Sequence, residues 1–469
     1  MFVPLYWLIP LAVLAAVALL ERVLLPGVRV VLRRNVRHLV EELNQKLRLK
    51  LQPFKLTKKR VIEAMIVHDP EVALAARQYQ EAHDLTWTEV ADLVEAYARE
   101  IVPTFNVYLY YRLAHWFARR LARALYRVRV GFLDKKAFAA MDTEASVVFV
   151  MNHRSNLDYV LVSYLVARHA AISYAVGEWA RVWPLDTLIR RLGAYFVRRN
   201  TSDPLYRKVL ERYVQLSREA GVTQGIFPEG GLTRDGHLRE PKLGLLNYVL
   251  KRFDPNGPRD LVFVPVGINY DRVLEDRTQI LGLTGGQAQG RLSWHGARVA
   301  LVWAMKNLVL VVRGRFRRFG YACVNFGVPV STRDHLKSRG VDLRALDGEA
   351  YRAEVELLGQ RLMREIARSV PATPVTMTCL ALAGDGTLGV IEEDVQERVA
   401  GFVKALRERD LPISVQRSET DDITSEGLRV LVLRRLATIE DGIVRVHSED
   451  APLVQYYANS IAHLFEARG

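Results

Sequence analysis

The stretch Val147–Asp158, VVFVMNHRSNLD, carries the residue types best suited to chemistry. An apolar run from Val147 to Met151 stops at Asn152-His153-Arg154-Ser155, and Asp158 follows the histidine by five residues. A histidine takes a proton from a hydroxyl near neutral pH, and a neighbouring carboxylate holds the imidazole in the tautomer that this needs. By itself so short a match reads more readily as a histidine that caps a helix and an aspartate on the helix face. Three further clusters change the balance. Gly193–Arg199, GAYFVRR, delivers Arg198 and Arg199 at the end of an apolar run. Phe227–Arg234, FPEGGLTR, carries Glu229, Gly230, Gly231 and Arg234, with Pro241-Lys242 soon after. Val264–Ile268, VPVGI, is the fourth. Arg154, Arg198, Arg199, Arg234 and Lys242 would set several cations around one histidine, and guanidinium forks match phosphate oxygens. Gly230 and Gly231 let the backbone turn close to a ligand.

These clusters need a frame that brings them to one edge. The run Val147–Met151 is short, rich in β-branched residues and closed by polar ones, as a buried parallel strand is. Its polar stop then lies at the carboxyl end, where open α/β sheets bind ligands. Asn152 or Ser155 is placed to cap a following helix whose apolar positions include Leu157, Val160, Leu161 and Leu165. Strands are expected at Ala171–Val176, Ala194–Val197, Val222–Phe227, Leu261–Ile268 and Tyr321–Val328. Helices Pro204–Ala220, Leu243–Phe253 and Gly348–Ser369 alternate with them. The expectation is an α/β domain over 136–370, a mixed, mostly parallel sheet flanked by helices.

The chain has 469 residues, half of them hydrophobic and a quarter charged, which excludes a disordered chain and a multi-spanning membrane protein. Sixty-six basic against fifty-two acidic residues leave +14, an excess that suits nucleic acid, anionic lipid or a phosphorylated substrate. Two distant cysteines, Cys323 and Cys379, give neither a disulfide framework nor a zinc spacing. No metal or cofactor is expected.

Met1–Leu20 carries no charge and is followed by Arg22, Arg29, Arg33, Arg34 and Arg37, so residues 1–25 read as a transmembrane or interfacial anchor. The positive-inside rule puts the remainder in the cytoplasm, with a cell (inner) membrane location. Residues 26–135 read as a helical region. Within it Tyr111–Val130 has Leu113, Trp116, Phe117, Leu121 and Leu125 on one side and Arg119, Arg120, Arg123 and Arg127 on others, a basic amphipathic helix for a membrane surface. Val299–Val312, followed by Arg313, Arg315, Arg317 and Arg318, is a second such candidate. Residues 371–469 read as a small α+β module, winged-helix-like, with a hairpin at Asp441-Gly442. Gly384–Gly389 matches GxGxxG in form, without the βαβ unit that would give the match meaning.

The four clusters, in this order, resemble the glycerolipid acyltransferases, and within them the glycerol-3-phosphate acyltransferases. His153–Asp158 is similar to their HxxxxD block, Gly193–Arg199 to GAFFIRR, Phe227–Gly231 to FxEGG, and Val264-Pro265-Val266 with Asn269–Val273 to the fourth. Asn325–Pro329 and Tyr456–Ser460 extend the resemblance over most of the chain from about 145 onward. It implies acyl transfer from acyl-CoA or acyl carrier protein to the 1-hydroxyl of glycerol 3-phosphate, giving lysophosphatidic acid for phospholipid synthesis. His153 would be the base and Asp158 its orienting partner. Arg154, Arg198, Arg234 and Lys242 would hold the phosphate, with Glu229 and Gly230 shaping the glycerol pocket. Leu232 and Thr233 stand where the family carries Arg and Ser, so one cation is missing there. The alternatives are acylation of dihydroxyacetone phosphate or lysophosphatidate, and, from another class, a membrane-tethered nucleic-acid-binding protein.

Overall fold

The computed structural model describes residues 52–167, 170–177, 181, 185–198, 201–281, 318–414 and 420–466. The expected anchor at 1–25 and the apolar insert at 299–312 lie outside the described residues, as does Arg199. Among the described residues, no helix is long and apolar enough to cross a membrane.

Helices α1 (Lys59–Val67), α2 (Pro70–His83) and α3 (Trp87–Ile101) come first. Asp69 accepts from the amides of Glu71 and Val72 to start α2, with Pro70 at the first helical position. Thr86 and Glu89 close a capping box on α3. Tyr111–Val130, expected as one helix, divides. A π-helical turn, Leu109–Ala114, leads into α4 (His115–Leu125), and the chain then extends as strand β1 (Arg127–Phe132). β1 lies parallel to Tyr321–Phe326 over six residues, and that ladder suits the β-branched Val128 and Val130 better than another helical turn. The sheet therefore begins inside the region read as helical.

Strands β2 (Ser146–Met151), β3 (Ser173–Gly177), β4 (Tyr195–Val197), β5 (Gln224–Ile226), β6 (Leu261–Tyr270), β7 (Tyr321–Phe326) and β8 (Val330–Ser331) complete it. Their order is β1-β7-β6-β2-β5-β3-β4, with β8 antiparallel beside β6. β1, β7 and β8 oppose β6; β2, β5, β3 and β4 run with it. The connections carry α5 (Asp158–Val166), α6 (Pro204–Glu219) and α7 (Leu243–Leu250), and α8 (Gly348–Ser369) follows the last strand. The fold is thus α/β, a mixed and mostly parallel sheet flanked by helices.

Every residue of β2 and β6 is buried, so both faces of the sheet are covered. Val148 and Val150 point into a core shared with Ile66 of α1, Val94 of α3, Tyr206 of α6 and Leu362 of α8. Val147, Phe149 and Met151 point the other way, into a core completed by the carboxyl-terminal module. That module comprises α9 (Pro374–Leu382), β9 (Val390–Ile391), α10 (Glu392–Glu408), α11 (Thr420–Leu433), β10 (Ala437–Glu440), β11 (Ile443–Val446) and α12 (Ala451–Ala462). Its three strands form an antiparallel sheet, and Asp441 and Gly442, both at positive φ, make the hairpin turn. Gly384–Gly389 joins a helix to β9, so no strand feeds it as a dinucleotide loop requires. Met377, Leu431 and Tyr457 belong to the same apolar cluster as Phe149. The described part of this module therefore shares one interior with the sheet.

Candidate active site

β2 carries the chain to Asn152, whose side-chain amide donates to the Ile268 carbonyl (2.9 Å) and accepts from the Ile268 amide (2.7 Å). This locks the end of β2 to β6. Asn152 therefore caps no helix. The turn beyond it is held by the Asp158 carboxylate, the first residue of α5, where a helix N-terminus favours negative charge. Oδ2 accepts from the amides of Arg154 (2.7 Å) and Ser155 (3.0 Å) and from His153 Nδ1 (3.0 Å). Oδ1 accepts from the Tyr270 hydroxyl (2.6 Å). Burial, and then the carboxylate itself, push that phenol well above its ordinary range, so it stays a donor.

With Nδ1 committed to Asp158, Nε2 is the ring nitrogen left for a substrate in the cavity that His153 lines. The imidazole stacks on Phe227, ring centroids 4.1 Å apart, with the Tyr159 ring edge-on at 5.4 Å. These contacts fix its plane. Glu229 holds the histidine from behind: Oε1 accepts from the His153 amide (2.9 Å) and Oε2 from the Arg239 amide (3.2 Å). Its carboxylate is 1% exposed, and burial raises its pKa. Glu229 thus fastens loops and does not line the pocket. Gly230 does line it, and sits at φ +67 where an added Cβ would stand 2.6 Å from Lys242 Cδ.

The expected cations fall into two groups. Arg154 was placed at the phosphate by the resemblance, but its guanidinium is buried and donates to the Gly236 and Ser460 carbonyls. It ties the turn after β2 to α12 and is absent from the cavity wall. Arg198 reaches the wall while donating two hydrogen bonds to the Glu100 carboxylate, from Nε at 2.8 Å and Nη2 at 2.6 Å, over the rings of Tyr206 and Tyr97. Burial favours a neutral Glu100, yet the bonds from Arg198 and Arg181 outweigh it and lower the pKa. Arg234 and Lys242 line the cavity, exposed and without a side-chain partner among the described residues.

Residues not singled out from sequence complete the wall. Glu275, just past β6, accepts from the Ser155 hydroxyl (2.7 Å) and the Asn156 amide (3.2 Å). Arg239 and Arg207 add guanidinium groups, the latter donating through Nε to the Thr201 carbonyl (2.9 Å). Thr233, at the place of the missing family serine, donates its amide to the His153 carbonyl (3.1 Å) and its hydroxyl to the His237 carbonyl (2.8 Å). The cavity measures about 1190 Å³, beyond the needs of a three-carbon phosphate alone, and Val150, Val176, Leu210, Leu246 and Leu362 give it an apolar side. Among the described residues no cluster of three His, Cys, Asp or Glu side chains forms a metal site.

Two family profiles match the chain. One, described as "Acyltransferase", spans residues 132–269; the other, "Glycerol-3-phosphate acyltransferase C-terminal region", spans 305–469. The glycerol-3-phosphate acyltransferase of Pseudomonas paraeruginosa is 27% identical over 426 residues, 87% of this chain and 49% of that protein. That of Ectopseudomonas mendocina is 28% identical over 416 residues, 85% of this chain and 48% of its own. The chain spans about half the length of these relatives. A crystal structure of the 1-acyl-sn-glycerophosphate (LPA) acyltransferase from Thermotoga maritima is aligned over 66% of this chain and 97% of that one, at 17% identity and a TM-score of 0.32.

Proposed function

We propose that this chain, a member of the glycerol-3-phosphate acyltransferase family, transfers a fatty acyl group from an acyl thioester to the 1-hydroxyl of glycerol 3-phosphate. The observation that carries the reading is the His153–Asp158 pair, Nδ1 to Oδ2 at 3.0 Å, on a cavity also lined by Arg234 and Lys242, cations without a side-chain partner among the described residues. His153 Nε2 takes the proton of the 1-hydroxyl as its oxygen attacks the thioester carbonyl. The C–O bond forms, the C–S bond breaks, and the imidazolium returns its proton to the departing thiolate. Asp158 stabilises the imidazolium and holds the ring; such base catalysis contributes about 10²–10⁴ in rate. Arg234 and Lys242 hold the phosphate, and the apolar side of the cavity takes the acyl chain.

The donor is acyl-CoA or acyl carrier protein, with no metal or further cofactor. The test is an acceptor panel of glycerol 3-phosphate, dihydroxyacetone phosphate and lysophosphatidate with one defined thioester, product regiochemistry being read by mass spectrometry. The highest kcat/KM is expected for glycerol 3-phosphate, acylated at the 1-hydroxyl; preference for another acceptor replaces the reading.

The working place is the cytoplasmic side of the cell membrane. Leu113, Trp116 and Phe117 stand more than half exposed around α4, among the exposed Arg112, Arg119, Arg120 and Arg123. Aromatic and basic side chains together favour an anionic bilayer surface. Sedimentation with phosphatidylglycerol vesicles should carry the protein down more than phosphatidylcholine vesicles do, and W116A/F117A should weaken it. Equal recovery from both lipids counts against an electrostatic surface.

A further inference from the structure

We infer that Arg239 binds the acceptor's phosphate and sets the preference for a phosphorylated acceptor over its neutral counterpart, a role that rests on the functional reading above. Arg154 is bonded to carbonyls away from the cavity, Arg198 is paired with Glu100, and Arg207 donates to Thr201. Arg234, Arg239 and Lys242 are the exposed cavity cations without a side-chain partner among the described residues. Leu232 lines the same wall and brings no charge.

Arg239 is also tied to the base through a single carboxylate. The Glu229 carboxylate binds the Arg239 amide with one oxygen and the His153 amide with the other. The two main-chain amides are thus bridged by one carboxylate and two hydrogen bonds. The intervening loop is pinned as well. Thr233 Oγ1 accepts from the Gly236 amide (3.2 Å), and Gly236, at φ +90, lies so close to the Tyr456 carbonyl that an added Cβ would clash at 1.9 Å. The main chain is thus held in place beneath Arg239, and its guanidinium offers a dianion in the cavity a fork of donors. The cavity's own carboxylate, Glu275, is engaged by Ser155 and Asn156.

The test compares the full chain with R239A and R239K, each checked for an unchanged thermal melt. Initial rates are measured at saturating thioester against glycerol 3-phosphate and against glycerol. R239A should raise KM for glycerol 3-phosphate about 10- to 100-fold, the worth of one charge-assisted bond, with kcat within about threefold. The preference over glycerol should fall by the same factor, and R239K should recover part of it. An unchanged KM overturns the assignment, as does a fall in kcat alone, which would make Arg239 a loop anchor. Calorimetric titration with glycerol 3-phosphate separates this from the acyl-transfer reading. Weaker binding by R239A supports the subsite whatever the turnover, and equal binding by the two proteins overturns it.

Discussion

The Tyr270 hydroxyl donates to Asp158 at 2.6 Å, so the carboxylate that orients His153 is itself held from the strand next door. Tyr270→Phe removes this donor from a site with no access to water, since both residues are fully buried. The loss of a bond to a charged group, roughly 1.5–3 kcal/mol, should appear partly as stability and partly as turnover. A kcat lower by about tenfold at unchanged KM is expected, read by initial rates. An unaltered kcat would mean that the other donors suffice to fix Asp158.

His153→Ala should lower kcat by about 10²–10⁴ while the melting temperature stays near that of the wild type. Near-normal turnover in the folded variant would remove His153 from the chemistry.

Arg154 carries a prediction opposite to the one its sequence position invites. Arg154→Ala strips donors from the Gly236 and Ser460 carbonyls in a place 1% exposed, which should cost about 2–4 kcal/mol of stability. KM for glycerol 3-phosphate in the folded fraction should stay within about twofold. A large rise in KM with an unchanged melt would return Arg154 to the phosphate site.

Asp271 should make stability depend on pH. Its carboxyl accepts from the Tyr321 amide (2.7 Å) and the Val375 amide (3.1 Å), joining β7 to α9, and burial pushes its pKa up to about 6. Between the ordinary value near 4 and 6, the folded chain keeps a proton that the unfolded chain has released. Stability from this group is whole below about pH 4 and is lost as pH rises through 6. The loss amounts to about 3 kcal/mol at most. Urea unfolding of the wild type and D271N at pH 4.5, 5.5 and 6.5 should show this slope in the wild type only. Parallel curves would show that Asp271 is charged throughout.

What the sequence discloses and what it hides follow from distance along the chain. The β2 run, its polar stop and the five-residue step from His153 to Asp158 are local, and local patterning specifies them. The bond of Arg154 to Ser460 spans 306 residues, and that of Asp158 to Tyr270 spans 112. Nothing in the residues around either partner announces such bonds, so Arg154 reads as a phosphate ligand by type alone. Arg239 is hidden for the converse reason: it is one basic residue in a polar loop until Glu229 is seen to tie it to His153. β1 was obscured by its neighbour, because the apolar spacing of α4 runs on into Val128 and Val130 and six residues of alternation are too few to compete. The hairpin at Asp441-Gly442 was legible because its turn demands positive φ at two adjacent residues.

The bond from Arg154 to Ser460 also sets an order of assembly on the ribosome. The turn that carries the histidine emerges 306 residues before the carbonyl that anchors its neighbour, about 15–60 s at ordinary rates of synthesis. Through that interval the sheet lacks the module that shares an apolar cluster with Phe149 and Met151, leaving that cluster incomplete in the nascent chain. Whatever shields that cluster during translation governs the yield of folded protein.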